Sequence, residues 1–166
     1  VLAEGSLRAS GIIGKGSEKY SFHMKGQDLI EGIRSMKGWA LGVVVSARGG
    51  AHTRGALATE SRKYSSEDSE RSFGVKSAGD ARIYEGKPKV VTYFEYIHAL
   101  LDSLGVCFFT GNWTTPDGIN PDELAQFYSL ATGIKQSENE LMKTGERIHN
   151  LEKMFNVCHA GFTRKD

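Results

Sequence analysis

Leu101-Asp102-Ser103-Leu104-Gly105-Val106-Cys107-Phe108-Phe109 closes an apolar pattern that begins near Pro88. Across that pattern Val91, Phe94, Tyr96, Ile97, Leu100, Leu101 and Leu104 recur at helical spacing and give a broad apolar face. Pro88 suits a first helical turn. Gly105 suits the left-handed residue that ends a helix. Past that turn, the backbone groups of residues 104 to 108 are expected to be free for a partner other than the helix. Asp102 adds a fixed acceptor and Cys107 a soft sulfur ligand. The stretch therefore reads as a cradle for the polar edge of a cofactor beside a metal. The competing reading is an ordinary helix end followed by a buried free cysteine, since free cysteine is among the most buried residue types.

The rest of the chain narrows the class. Its 166 residues hold one ordinary domain or two small ones. Hydrophobic residues are 39% and charged residues 25%, the balance of a globular protein with a real core. A net charge of +1 provides no general field toward nucleic acid or an acidic membrane, so neither is an expected partner. No apolar run approaches a membrane span, and no signal peptide is read. Cys107 and Cys158 do not make a disulfide framework, so a reducing, cytoplasmic setting is the expectation.

Outward from the opening stretch, the chain reads as helices punctuated by glycine. Residues 1 to 10 read as the end of a helix, with Leu2, Leu7 and later Ile12 and Ile13 apolar, broken by Gly11, Gly14 and Gly16. The Gly11–Ser17 stretch fails the spacing of a phosphate loop and reads as a turn. Tyr20 to Lys25 alternates as a short strand would, with His23 at the surface or half-buried. Trp39 to Val45 is an apolar run that periodicity assigns to neither strand nor helix. It leads into Ala47-Arg48-Gly49-Gly50-Ala51-His52-Thr53-Arg54-Gly55, where two arginines flank a histidine. Arginine suits phosphate and other oxyanions, and histidine suits proton transfer or a metal. Paired glycines would let the backbone approach a ligand. A single copy in apolar surroundings argues against an RNA-binding RGG tail, and a plain glycine-rich loop stays open as the alternative.

Residues 65 to 80 read as a solvated helix and loop. His98, among apolar positions, reads as packed or hydrogen-bonded. Asn120-Pro121-Asp122-Glu123 starts one helix that stops at Gly133, and Ser137-Glu138-Asn139-Glu140 starts a long final one. Gly145 inside that helix marks close packing, because it costs about 1 kcal/mol against alanine. Cys158 and His159 are adjacent, cannot alone form a metal site, and read as structural or incidental. The sum is four or five helices and one short extended segment: a mainly α, multihelical chain without repeats.

Three stretches taken together are more specific. The histidine loop resembles the Arg-Gly-x-x-His-x-Arg/Lys stretch of the aldehyde ferredoxin oxidoreductase family, the tungsten- or molybdenum-pterin enzymes. Asp102-Ser103-Leu104-Gly105-Val106-Cys107 resembles that family's Asp-x-x-Gly-Leu-Cys motif, with valine for leucine. Thr132-Gly133, then Gly145-Glu146-Arg147-Ile148-His149-Asn150-Leu151-Glu152 and Phe155-Asn156, is similar to its C-terminal helical signature. Leu2-Ala3-Glu4-Gly5 and Lys25-Gly26-Gln27-Asp28 fit the family's spacing before the histidine loop.

The resemblance implies that residues 1–166 are a single helical fragment of a chain several times longer: the end of its second domain and most of its third. The upstream Cys-x-x-Cys-x-x-x-Cys, a partner Asp-x-x-Gly-Leu motif and a glutamate near the metal would lie outside it. It further implies that Asp102, Gly105 and Val106 hold one pterin and that Cys107 is the fourth thiolate of a [4Fe-4S] cluster. His52 would lie near the tungsten or molybdenum of a bis-pterin cofactor and move a proton or orient a carbonyl. Arg54 would contact the pterin or its phosphate, with Arg48 a further candidate. The implied reaction oxidises an aldehyde to a carboxylate, with ferredoxin as electron acceptor. The N-terminal pterin-binding domain of the same polypeptide would be the other partner, and a homodimer is compatible. One cysteine cannot hold a cluster, so the isolated chain is expected to be inactive. The alternative is a stand-alone, non-catalytic helical scaffold or interaction domain. Cys158 stands where the family often has a basic residue, so no role is carried to it.

Overall fold

The helix expected between Pro88 and Gly105 forms as Lys87–Leu104, and its burial on nearly every side makes it the axis of the fold. A computed structural model describes residues 2–29 and 31–165, with Val1, residue 30 and Asp166 outside them. The elements in order are α1 (Gly5–Ile13), β1 (His23–Met24), β2 (Gln27–Asp28), α2 (Lys37–Val45), α3 (Ala58–Arg62), α4 (Ser66–Phe73), α5 (Lys87–Leu104), α6 (Pro121–Thr132) and α7 (Glu138–Ala160). Short 3₁₀ turns lie at Leu2–Glu4, Ser17–Tyr20, His52–Arg54 and Phe108–Thr110. The fold is mainly α and multihelical, as read from the sequence, but it has seven α-helices among the described residues rather than four or five. The additional ones are short.

The core is built on the inward side chains of α5. Val90, Val91, Phe94, Ile97, Leu100 and Leu101 meet Leu57, Tyr64, Phe73, Trp113, Leu124 and Leu141. α7 packs along α5, and α6 packs on α7. Gly145 allows that contact, since a Cβ there would stand 2.6 Å from the carbonyl oxygen of Tyr96. Both long-range helix starts expected from the sequence carry complete capping boxes, Asn120 with Glu123 and Ser137 with Glu140. Side-chain oxygens there satisfy first-turn amides that the helix itself leaves open.

α2 resolves the ambiguous apolar run as a helix, and the reason is tertiary. Its first turn is capped by Glu60, whose two carboxylate oxygens accept from the Gly38 and Trp39 amides at 2.8 Å each. Glu60 is in turn paired with Lys87 at 2.9 Å, and both side chains are fully buried. Lys87 also donates to the carbonyls of Ser77 (2.9 Å) and Ala78 (3.0 Å). Gly38 and Gly42, one turn apart, let α2 lie directly on the chain at residues 55–57. A Cβ on Gly42 would sit 2.4 Å from the Ala56 Cα.

Two local expectations are corrected. Gly11 does not break the first helix, which continues to Ile13 and ends at Gly14, where the amide donates to the Ser10 carbonyl at 2.8 Å. Only His23–Met24 of the alternating stretch is strand, and it forms a two-residue antiparallel hairpin with Gln27–Asp28. Tyr20 instead ends a 3₁₀ turn.

Candidate functional site

The residues singled out in the histidine loop and at the end of α5 come together. His52 opens the 3₁₀ turn that follows α2, half-buried beside two indoles. Its ring stacks on Trp39 (centroids 5.3 Å, planes 22° apart) and on Trp113 (6.0 Å, 16°). Its Nδ1 is hydrogen-bonded to the carboxylate of Glu31. Trp113 is fixed from behind by a 2.7 Å hydrogen bond from its indole nitrogen to the Ala56 carbonyl. Its other edge meets Phe108 at 5.0 Å, one residue beyond Cys107. An aromatic wall therefore runs from the histidine loop to the cysteine.

Arg54 supplies the second connection. It pairs with Asp102 on the last turns of α5 and lies 3.7 Å from Glu152 on α7. Between them, Gly55 turns back with φ +117°, a conformation that side-chain-bearing residues resist, and a Cβ there would meet Glu95 Cγ at 2.5 Å. The Gly55 amide donates to His98 Nδ1 at 3.2 Å, so His98 is the hydrogen-bonded core histidine its surroundings predicted. α7 holds the other side of the loop: Lys153 donates to the Val45 carbonyl and Asn156 to that of Ala47, the latter at 2.6 Å.

The helix end corrects part of the opening reading. Gly105 is left-handed (φ +69°), as expected. Its amide and that of Val106 are not free, however, because they close the helix onto the carbonyls of Asp102 (3.3 Å) and Leu101 (2.9 Å). The Val106 side chain is half-buried and Cys107 is exposed, so the buried-cysteine alternative does not hold. Gly105 faces open space, with nothing within 4 Å of a Cβ built on it. Asp102 uses one carboxylate oxygen on Arg54 and keeps the other.

The paired glycines face protein. Added Cβ atoms at Gly49 and Gly50 would come within 3.0 Å of the Met24 and Asp28 carbonyl oxygens of the hairpin, so their close approach serves packing rather than a ligand. Arg48 is exposed and donates to Thr53 Oγ1 at 3.2 Å. With Arg54, Glu152, Leu151 and Phe155 it lines an open groove of about 480 Å³.

Behind the loop lie three buried titratable groups. Glu95 Oε2 is 3.6 Å from His149 Nε2, while Glu95 Oε1 and His98 Nε2 have no partner among the described residues. Burial raises the Glu95 carboxyl to about 7, which nearby Lys153 partly offsets. Burial, with the charge of Lys153 and Arg54 beside it, lowers His149 to about 4. Burial, aided by Arg54 and His52, lowers His98 to about 3. The Glu95–His149 contact thus has ion-pair geometry, yet desolvation disfavours charge on both members.

Sequence reasoning missed Glu31, Trp39, Trp113, Glu95 and Glu152 as members of this region. Trp113 left a signal: a large indole in a turn-rich loop must find burial somewhere. Glu31 left none. Cys158 is exposed, and the ring of His159 packs on Phe155 at 4.4 Å. Among the described residues, no three of His, Cys, Asp and Glu gather into a metal-holding group. No helix there is long and apolar enough to cross a membrane.

Comparison with known proteins matches residues 1–166 to the family model described as aldehyde ferredoxin oxidoreductase, domains 2 and 3. The chain is similar to the tungsten-containing aldehyde ferredoxin oxidoreductase of Thermococcus kodakarensis, with 29% identity over 94% of this chain. It is likewise similar to those of Pyrococcus abyssi and Pyrococcus horikoshii, each at 30% identity over 95% of this chain. It spans 23% of the length of each of these relatives. No solved structure shows a significant match.

Proposed function

Because this chain belongs to the aldehyde ferredoxin oxidoreductase family, we propose that it is the C-terminal helical part of a tungsten-pterin oxidoreductase that converts aldehydes to carboxylates and passes the electrons to ferredoxin. Residues 1–166 are the end of the second domain and most of the third. The N-terminal pterin-binding domain of the same polypeptide completes the site. The observation that carries the reading is the join between the two motifs: Arg54 of the histidine loop pairs with Asp102, three residues before the left-handed Gly105 and five before an exposed Cys107.

The residues present suit such a cofactor. An exposed thiol after a helix end can be one ligand of a cluster whose other cysteines come from elsewhere in a longer chain. The free oxygen of Asp102 can accept from the polar edge of a pterin, and the open face of Gly105 leaves that edge room. Val106 fixes the turn through its amide. Arg54, braced by Asp102 and Glu152, and Arg48 at the mouth of the groove offer guanidinium groups to a phosphate. When bound, the metal and its dithiolenes supply the two-electron chemistry. The chain's own part is to hold and move a proton at His52, to orient the carbonyl, and to exclude water with the Trp39, Trp113 and Phe108 rings.

The experiment is metal analysis of the native protein isolated from its own cells. Tungsten or molybdenum near one per chain with about four irons is the expected result. A native polypeptide without these metals would overturn the reading and leave the stand-alone scaffold.

A further inference from the structure

The surroundings of His52 are more elaborate than proximity to a metal requires. Glu31 sits outside every motif that carried the functional reading, on the segment between the hairpin and α2. It nevertheless delivers a carboxylate to Nδ1 of the ring. An ionised carboxylate only accepts hydrogen bonds, so the nitrogen it meets must carry the hydrogen. With His52 neutral, that places the hydrogen on Nδ1 and leaves a bare lone pair on Nε2. The side chain of Glu31 is itself well enclosed, 18% exposed, and its second oxygen has no partner among the described residues.

The two indoles restrict the ring further. Trp39 and Trp113 both lie nearly parallel to it, 22° and 16° from its plane, and are 6.2 Å from each other. Each plate is anchored independently of His52. The Trp39 amide is held by Glu60, which Lys87 neutralises, and the Trp113 indole is held by the Ala56 carbonyl. A ring stacked this way cannot turn over without leaving both indoles and the carboxylate together.

We propose that Glu31 is a positioning residue for His52, acting with Trp39 and Trp113 to keep the hydrogen on Nδ1 and to present Nε2 as the nitrogen that exchanges the proton with substrate. The inference deepens the proposed function and rests on its assignment of His52. A histidine oriented by a partner carboxylate keeps one tautomer, and loss of such a partner costs about ten- to a hundredfold in activity at comparable sites.

The test uses the full-length metal-free protein labelled with ¹⁵N at histidine. The signal that His52→Gln removes is assigned to His52. The expected wild-type spectrum is that of an Nδ1–H imidazole. Glu31→Ala should convert it to the Nε2–H form that an unheld imidazole prefers in water, with the other histidine signals unmoved. Glu31→Asp should restore the wild-type tautomer in part. Where the alanine variant does not fold, Glu31→Gln serves, since its amide can accept or donate and should give mixed tautomers. In the loaded full-length enzyme, Glu31→Ala should lower kcat about ten- to a hundredfold with KM unchanged. An unaltered tautomer in the folded variant overturns the proposal. A switched tautomer with unaltered kcat leaves Glu31 holding the ring but removes His52 from the chemistry, and with it that part of the proposed function.

Discussion

Glu95 and His149 face each other across the α5–α7 contact, and their proton affinities move in opposite directions. The Glu95 carboxyl is raised from 4.5 to about 7. Between those values the folded state binds more protons than the unfolded chain, so this group makes stability fall as pH rises. His149 is lowered from 6.5 to about 4. It makes stability fall as pH drops through that range, so the two effects oppose between pH 4.5 and 6.5. Above that window only the Glu95 contribution remains. Replacing Glu95 by glutamine keeps the volume and removes the titration. Urea midpoints of Glu95→Gln and wild type should therefore diverge from about pH 5 to about pH 8, with the variant gaining by up to about 3 kcal/mol. A pH-independent gap would show that Glu95 is no buried acid. His98 behaves differently, since at about 3 it is neutral throughout this range and acts as the acceptor for the Gly55 amide. His98→Phe should cost about 1–3 kcal/mol in the same assay, because that amide is then buried without a partner. At this scale Asp102, Gly105 and Cys107 were legible, being bound to a helix end that local rules define. Glu31 and Glu95 were not, because nothing in their sequence neighbours tells a buried carboxylate from a solvated one.

The elements divide by the range of the interactions that start and stop them. α6 and α7 begin at capping boxes spanning three residues, and α5 stops at a left-handed glycine. Such signals are complete within one turn, so these helices could be read directly. α2 could not. Past Lys37 its residues are apolar on all sides, and the carboxylate that caps it comes from Glu60, more than twenty positions later. Removing the cation that neutralises this carboxylate tests the arrangement. Lys87→Met should lower stability by about 3–5 kcal/mol in a denaturant titration, since it leaves Glu60 charged, buried and without its cation. Gly42→Ala should cost about 1–3 kcal/mol, against the gain expected from helix propensity alone, because the added methyl meets the Ala56 backbone. A stabilised Gly42→Ala protein would mean that α2 is not seated on residues 55–57.

For the molecule as a whole, the groove between the histidine loop and α7 carries the apolar residues Leu151 and Phe155, which are 70% and 61% exposed. The chain spans only 23% of its tungsten-containing relatives. In the proposed reading, the remainder of a longer polypeptide completes this face. Substitutions in the full-length protein then separate the roles. Cys107→Ala should remove the iron of the cluster while leaving tungsten in place, and His52→Ala should lower turnover with both metals retained. Full iron content in Cys107→Ala would end its assignment as a ligand. Mainly helical architecture, family membership, the end of α5 and the two capped C-terminal helices all follow from the order of residues, because periodicity, caps and motifs act over a few neighbours. Which carboxylate holds His52, which rings flank it, and which partner Arg54 takes were decided by the packing of distant segments. Glu31, Trp39 and Trp113 reach His52 from three separate segments, with α2 seated on its glycines and Trp113 held by the Ala56 carbonyl. Those contacts cost chain entropy that only the assembled core can offset.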